Sequence, residues 1–461
     1  MGAVQEEGNV MMHDAREQAL FSSAPIGKAI WALAVPAVIS QIITVIYNMA
    51  DTFYIGQLGD PNQVAAATLA MPLFVMLTAI SNLFGIGGAS VISRALGAGQ
   101  SERAQHCAAF CIWTSAAVAL LYGLVLLAVR PTLLPLLGTD VLTHDWTSQY
   151  LFWTVCVGAV PTVLNPELAH LVRAEGYSRQ ASFGVAFGGV LNILLDPLFL
   201  FVFKLHIVGA AIATLLSNLA ATVYFFVFLY KIRRTTVITP APKYYTLGGH
   251  IPMDVVTVGL PSFLISMMAT VSNTVLNHII AKESNEAVAG MGIAKKNNLL
   301  AFSVSQGLTQ GTLPLIGFNY ASGDRGRMTQ AIRRLFFACL FVSLGIMALQ
   351  FTGAGVISQL FIDDAATVSY GQTFLHIICL AGPTSAMLFF SITVFQATGK
   401  RVQPIILSML RKGSTDVALM VLFFHWLGVR GVAWATPAAD SVALCVCAAL
   451  ILPYLKKLKH T

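Results

Sequence analysis

Charge is what this chain has least of. Asp, Glu, Lys and Arg together make up 10% of its 461 residues, against about 25% in a soluble globular domain. That excludes an ordinary soluble fold, and the hydrophobic content of 56% excludes a disordered chain. A disulfide framework is also missing. The seven cysteines (107, 111, 156, 339, 379, 445 and 447) all fall in apolar stretches and none has zinc-site spacing, which makes them small packing residues. No nucleophile–base pair, metal spacing or phosphate loop is visible, so an enzyme is not expected. Residues 1–24 hold Glu6, Glu7, Asp14 and Glu17 and no apolar core, so they do not read as a cleavable signal.

What is present is apolar sequence in spanning lengths. Twelve runs recur, at about 28–50, 64–88, 104–129, 146–172, 180–203, 207–230, 253–281, 286–312, 330–355, 368–395, 402–427 and 430–455, each near the ~20 residues that cross a bilayer. They must be helices, because a lone strand in lipid leaves its backbone polar groups unpaired. The expected fold class is an all-α membrane protein with twelve transmembrane helices in two six-helix lobes. Residues 1–24 form a leading segment, 25–230 the N-lobe, 231–252 a linker, 253–455 the C-lobe and 456–461 a tail.

The two lobes are one plan written twice. Pro36 matches Pro261 at an offset of 225; Val64-Ala65, Gly99 and Arg103 match Val288-Ala289, Gly323 and Arg327 at 224. RAEG at 173–176 meets QATG at 396–399 at 223, and Gly209 and Thr214 meet Gly431 and Thr436 at 222. Six spans return the chain to its starting side, so the repeat is parallel, with a pseudo-two-fold along the membrane normal.

The net charge of +7 follows topology rather than a nucleic-acid face. Of the 27 Lys and Arg, four (Arg130, Lys204, Lys282 and Arg430) fall on one side and four (Lys295, Lys296, Arg411 and Lys412) inside spans. The remaining 19 lie on the side that holds both termini. The positive-inside pattern makes that side cytoplasmic and brings it against anionic lipid.

Two acids stand out. Asp51 ends the first span, and Gln41, Thr44, Asn48 and Asp51 share one helix face. A hydrated Asp51 at the outer interface is the plain alternative to an interior one. Asp196 lies in LNILLDPLF (191–199), with Asn192 one turn before it and Pro197 freeing the carbonyl of Ile193. Carboxylate, amide and carbonyl are oxygen ligands for a hard cation; the same carboxylate carries a proton when desolvated. A proline kink around a satisfied aspartate is the plain alternative. Glu167 and Arg173 are weaker candidates, expected to pair with each other or with loop groups, and Glu175 and Arg179 belong to the cytoplasmic edge. Polar residues such as Ser266, Ser272, Asn273, Asn277, Asn297 and Asn298 line a cavity or join helices.

The second copy has no acid where these two lie: Asp51 aligns with Val275 and Asp196 with Leu419. It has Lys295-Lys296 and Arg411-Lys412 instead, with Asp416 and Asp440 nearby. Lys412 and Asp416 are i, i+4 and are expected to neutralise each other, and Arg411 is expected to meet Asp440 across helices; the alternative is a second relay, or a site that repels or attracts charged substrate.

YNMADTFYIGQLG (47–59), SRALGAGQSERA (93–104), RAEG (173–176), LNILLDPLF (191–199) and VGAAIAT (208–214), echoed by QATG and GVRGVAWATP, resemble the MATE family of multidrug and toxic compound extrusion transporters, and within it the DinF/MepA-like bacterial branch. The resemblance covers nearly the whole chain. It implies two lobes around a cavity open alternately to each side, and export of lipophilic cations against proton or sodium entry. It also implies a cation site in the first lobe, at Asp51, Asn192, Asp196 and Thr214; Thr214 enters only through this match. Relatives that use acids in the second lobe differ from this chain, which carries Lys295, Arg411 and Asp440 there.

The expected function is a secondary-active multidrug antiporter with no cofactor beyond its coupling ion, H+ or Na+. Its partners are drug-like cations and the lipid bilayer, with no nucleic acid, and it is expected to be a monomer in a bacterial inner membrane. Gln41, Asn48, Asn273, Met291 and Arg411 are the expected substrate-cavity residues. Met71, Phe74, Met76, Met267 and Met268 supply an adaptable apolar lining or plain packing. The rival reading is a flippase for a lipid-linked precursor, with Lys295, Lys296, Arg411 and Lys412 facing a pyrophosphate. A channel or receptor fits less well, because one lobe alone holds the acid pair.

Overall fold

A computed structural model describes residues 19–280, 284–360 and 364–460, and no strand appears among them. Residues 1–18, with the acids expected in the leading segment, and Lys282 lie outside the described residues. In chain order the helices are α1 (Ile26–Gly56), α2 (Pro61–Gly97), α3 (Ser101–Leu136), α4 (His144–Leu151), α5 (Ala159–Ala174), α6 (Ser178–Pro197) and α7 (Ile207–Lys231). There follow α8 (Ile251–Ile280), α9 (Asn285–Ala321), α10 (Arg325–Gln359), α11 (Ala365–Ile378), α12 (Ala381–Ala397), α13 (Val402–Lys412), α14 (Ser414–Leu427) and α15 (Val429–His460).

Eight of these, α1, α2, α3, α6, α7, α8, α10 and α15, are each long and apolar enough to cross a membrane. Two further spans are bent pairs, α4–α5 at 51° and α11–α12 at 42°. The first bend follows a π-helical stretch, Phe152–Val157; a second π-helical stretch, Leu198–Val202, follows Pro197, where the missing proline N–H disturbs the regular ladder. The chain is thus an all-helical protein of eight to ten apolar spans. The two remaining expected spans are where charge interrupts the apolar sequence. α9 carries Lys295 and Lys296, and α13 and α14 are separated at Gly413, beside Arg411 and Lys412. Helix starts are fixed by side-chain caps: Asp60 accepts from the Asn62 N–H, Ser284 from Ala287, Asp324 from Arg327 and Asp364 from Thr367. The hydrogen bonds from Thr367 hold the Asp364 carboxyl below its usual range.

The chain divides into two compact units, and their boundaries do not coincide with the repeat. Ile42–Gly259 falls in the first, and Ile26–Gln41 falls with Leu260 onward in the second. α1 therefore gives its first half to the second unit, and α8 its first nine residues to the first unit. Close helix crossings explain this. A side-chain carbon on Gly311 of α9 would run into Ala34 of α1, and one on Gly307 into Val38. In the first unit, a carbon on Gly259 of α8 would collide with the backbone of Leu83 in α2, and one on Gly87 with the Val255 carbonyl. Gly311 and Gly87 are 224 apart and Gly259 and Ala34 are 225 apart, so the two crossings are the same contact in the two copies. With no hydrophobic drive between helices in lipid, such small-residue approaches hold them together.

The linker is fastened to the first unit. Glu175 of the RAEG string accepts hydrogen bonds from the Thr236 hydroxyl (2.5 Å) and the Val237 N–H (2.8 Å). Trp113 donates to the Pro240 carbonyl at 2.8 Å, and Arg103 pairs with Asp254 at 2.8 Å.

Candidate functional site

The acids of the first unit lie where small residues let three helices close up. A carbon on Gly189 of α6 would press on Tyr47 and Ile43 of α1, and one on Gly188 on Ala221 and Ser217 of α7. α6 is thereby held close to α1 and α7. Its next turn carries Asn192 and Asp196, both fully buried.

Asn192 is the hub. Its amide nitrogen lies 3.4 Å from Asp196 Oδ1 and 3.4 Å from the Thr214 hydroxyl of α7. A polar string continues from there. Asn218 donates to the Thr214 carbonyl at 3.0 Å, and Asn165 of α5 donates to Asn218 at 2.9 Å. Asp51 of α1 is half-buried, and its carboxylate is within electrostatic reach of Asp196. Among the described residues no donor reaches Asp196 Oδ2, Asn192 Oδ1 or Asp51 Oδ1. The cluster is therefore two carboxylates, an amide oxygen and a hydroxyl, with acceptor capacity left over. That set suits a hard monovalent cation or a proton. No cluster of three or more His, Cys, Asp or Glu exists among the described residues, so the donors do not resemble a zinc site.

Two tyrosines belong to this surrounding and were not singled out by sequence. The buried Tyr150 of α4 is within electrostatic reach of both acids, and Tyr47 of Asp51. Tyr47 lies one turn before Asp51 on the same helix face; nothing in the sequence ties Tyr150 to α1 or α6.

Glu167 and Arg173 do not meet. Arg173 lies 3.5 Å from His170 Nδ1, and the fully buried Glu167 has the Ser115 hydroxyl beside it. Six residues apart on one helix, the two point to different faces.

In the second unit the two fully buried acids, Asp416 and Asp440, each have a cation. Arg411 Nε is 3.4 Å from Asp440 Oδ1, with Arg411 1% exposed, and Ser385 also donates to Asp440. The guanidinium lies 4.8 Å from the ring centre of Phe302 and 4.2 Å from that of Phe389. Asp416, fully buried, takes the Lys412 ammonium at 3.5 Å, the Ser272 hydroxyl at 2.5 Å and the Thr436 hydroxyl at 3.2 Å.

The expected cavity residues fall in different surroundings. Gln41 donates to Gln310 at 3.1 Å. The exposed Asn48 turns back to the Thr44 carbonyl of its own helix at 2.7 Å. Asn273 accepts from the Lys295 ammonium at 2.5 Å. Met291 and Arg411 present no open surface in this arrangement. Met291 is 2% exposed and packs with Leu276, Phe374 and Met420 in the second unit's core, and Arg411 is enclosed by its rings and Asp440.

Comparison with known proteins agrees with this architecture. The MatE family profile matches residues 36–198 and again 261–422, one match in each copy of the repeat. The multidrug export protein MepA of Staphylococcus saprophyticus subsp. saprophyticus is 29% identical over 435 residues, covering 94% of this chain and 95% of MepA. A crystal structure of a MATE in complex with MaL6 superposes with a TM-score of 0.90 at 24% identity, over 96% of this chain and 99% of that one. An outward-facing multidrug resistance MATE transporter of the MOP superfamily superposes with a TM-score of 0.87 at 25% identity, over 96% and 98%. The two profile matches span most of the chain, and the protein belongs to the MatE family, with curated relatives of MepA type.

Proposed function

We propose that this protein is a secondary-active exporter that expels lipophilic cations in exchange for an inward-moving proton or sodium ion, taken up at Asp51, Asn192, Asp196 and Thr214. The observation that carries the reading is the first unit's buried cluster. It holds two carboxylates without a basic partner among the described residues, inside a membrane-spanning bundle, a costly placement that marks ion pathways. MepA relatives, which are multidrug export proteins, support the cargo class.

In this reading α9 and the α13–α14 pair complete twelve spans, both termini are cytoplasmic, and the protein works as a monomer in a bacterial inner membrane. One elementary charge moving inward gains about 2.3 kcal/mol per 100 mV. It drives export only if ion binding favours one arrangement over the other. Neutralising Asp196 removes the repulsion between the two carboxylates. α1 and α6 then pack more closely, and the drug-binding surface is lost.

The flippase reading needs basic side chains free for a pyrophosphate. Arg411 and Lys412 are instead held on Asp440 and Asp416, which favours the exporter.

The test is dye export from proteoliposomes under an imposed proton gradient and then a sodium gradient, with Asp196→Asn beside the parent. Export driven by one gradient and lost in the variant supports the reading and names the ion. A parent indifferent to both gradients, with an equally active variant, overturns it.

A further inference from the structure

The second unit holds a counterpart of the first unit's cluster. Thr214 and Thr436 match at an offset of 222, and each hydroxyl binds into its unit's cluster, Thr214 to Asn192 and Thr436 to Asp416. Asp416 lies three residues before Leu419, the match of Asp196, hence about one turn away on the same helix face. The acid lies one turn earlier, and the matched threonine hydroxyl, which accepts from Asn192 in the first unit, donates to the acid itself in the second.

What differs is the state of the oxygens. In the first unit, Asp196 Oδ2 and Asn192 Oδ1 have no donor among the described residues. In the second, both oxygens of Asp416 are engaged, Oδ1 by Thr436 and Oδ2 by Ser272 and Lys412. The helix break at Gly413 strengthens this. Lys412 ends α13, where the carbonyl end of the helix favours a cation, and Asp416 lies in the first turn of α14, where the N–H end favours an anion. Lys295 of α9, bound to Asn273, is also within electrostatic reach of Asp416 and Lys412, as Arg411 is of Asp416.

We propose that Lys412 is a tethered cation: its ammonium fills, at Asp416, the place a mobile monovalent cation would take, so the second unit is charge-complete without an ion from solution. Removing the amine leaves a carboxylate with the hydroxyls of Ser272 and Thr436 beside the carbonyl end of α13. That is an oxygen-lined pocket for sodium. The inference concerns the second unit alone and holds whichever ion the first unit takes.

The experiment uses the full chain, purified in detergent in an Asp51→Asn/Asp196→Asn background that removes both carboxylates of the first cluster. Thermal unfolding is followed in sodium, potassium, methylammonium and choline chloride at equal ionic strength. The background protein should be indifferent to the cation. Adding Lys412→Ala should create a saturable stabilisation by sodium or methylammonium but not choline, lowering the unfolding equilibrium constant about elevenfold at ten times the ion's Kd. Lys412→Arg should stay indifferent, and Asp416→Asn combined with Lys412→Ala should abolish the response.

A Lys412→Ala protein as stable in choline as in sodium and methylammonium overturns the proposal. So does one that no cation recovers while the double variant with Asp416→Asn folds. If the double variant is also unrecoverable, the amine has a packing role no ion replaces, and the proposal fails. Because the first cluster lacks both carboxylates throughout, none of these outcomes bears on the antiport reading.

Discussion

The two units bury acids at related positions and treat them in opposite ways. In the first, Asp51 and Asp196 lie within electrostatic reach of each other, and among the described residues no donor reaches Asp51 Oδ1 or Asp196 Oδ2. In the second, Asp416 and Asp440 each lie against a cation from the neighbouring turn or helix, and Ser272, Thr436 and Ser385 supply further donors. Both are costly in lipid. In the proposed reading the first arrangement is relieved by an ion that arrives and leaves, and the second by the chain itself. A duplicated plan has thus kept its glycine crossings while one copy sets its buried acids beside cations of its own chain.

The sharpest way to break this comparison is to neutralise one acid in each unit. Asp196→Asn should reduce gradient-driven dye export to the level of empty liposomes while leaving the protein folded. Asp440→Asn should leave the purified protein markedly less stable, because the Arg411 charge loses its partner. Equal folding and equal loss of export in the two would erase the distinction.

Next in size is the structural cost of an uncompensated charge. Arg411→Met alone should destabilise the second unit by about 3–5 kcal/mol, while Arg411→Met with Asp440→Leu should recover most of it. Chemical denaturation resolves the two. A double variant no better than the single one would mean that the pair contributes more than mutual neutralisation.

The matched crossings offer a comparison of like with like. Gly87→Leu and Gly311→Leu should each cost about 1–3 kcal/mol by overpacking, read as a lower thermal midpoint. A loss confined to one of them would show that only one crossing is tight. A finer probe is Thr214→Val, which removes one hydrogen-bonding oxygen from the first cluster. It should raise the cation concentration for half-maximal export by about tenfold or less, whereas Thr436→Val should leave that concentration unchanged.

The smallest effect belongs to a cap outside the spans. The Asp364 carboxyl is held below its usual range by Thr367. Its contribution is therefore complete above about pH 4, where the unfolded carboxyl ionises, and is lost as acid protonates the folded one. Asp364→Ala should lower the thermal midpoint slightly at neutral pH and by less as acid protonates the folded carboxyl; Asp364→Asn, which still caps, should change it less.

Much of this was legible in the one-dimensional pattern, because helix spacing states which residues share a face. Asn192 with Asp196, and Lys412 with Asp416, are both i, i+4 pairs, and both meet in the structure. Spacing does not state which helices converge. Ser272 and Thr436 reach Asp416 from α8 and α15, and Tyr150 nears Asp196 from α4; no periodicity connects those positions. Thr214 was reached only by resemblance. That Met291 packs in the second unit's core was hidden for the same reason, since an apolar residue in a spanning helix has no mark that separates a core face from a lining face. The charges of α9 and the break at Gly413 were visible as composition, while their partners were not.

The exchange of helix segments bears on how the chain is made. The first unit needs Val255 and Gly259 against α2, and those residues are synthesised only after the linker. The second needs residues 26–41, which are among the earliest to leave the ribosome. An early segment therefore waits for a late one, and the repeat boundary is not a seam along which the molecule comes apart. A chain cut in the linker would yield two fragments that each lack part of a helix from their own unit and carry part of one belonging to the other. Two such fragments would have to be inserted into the same membrane to become either unit.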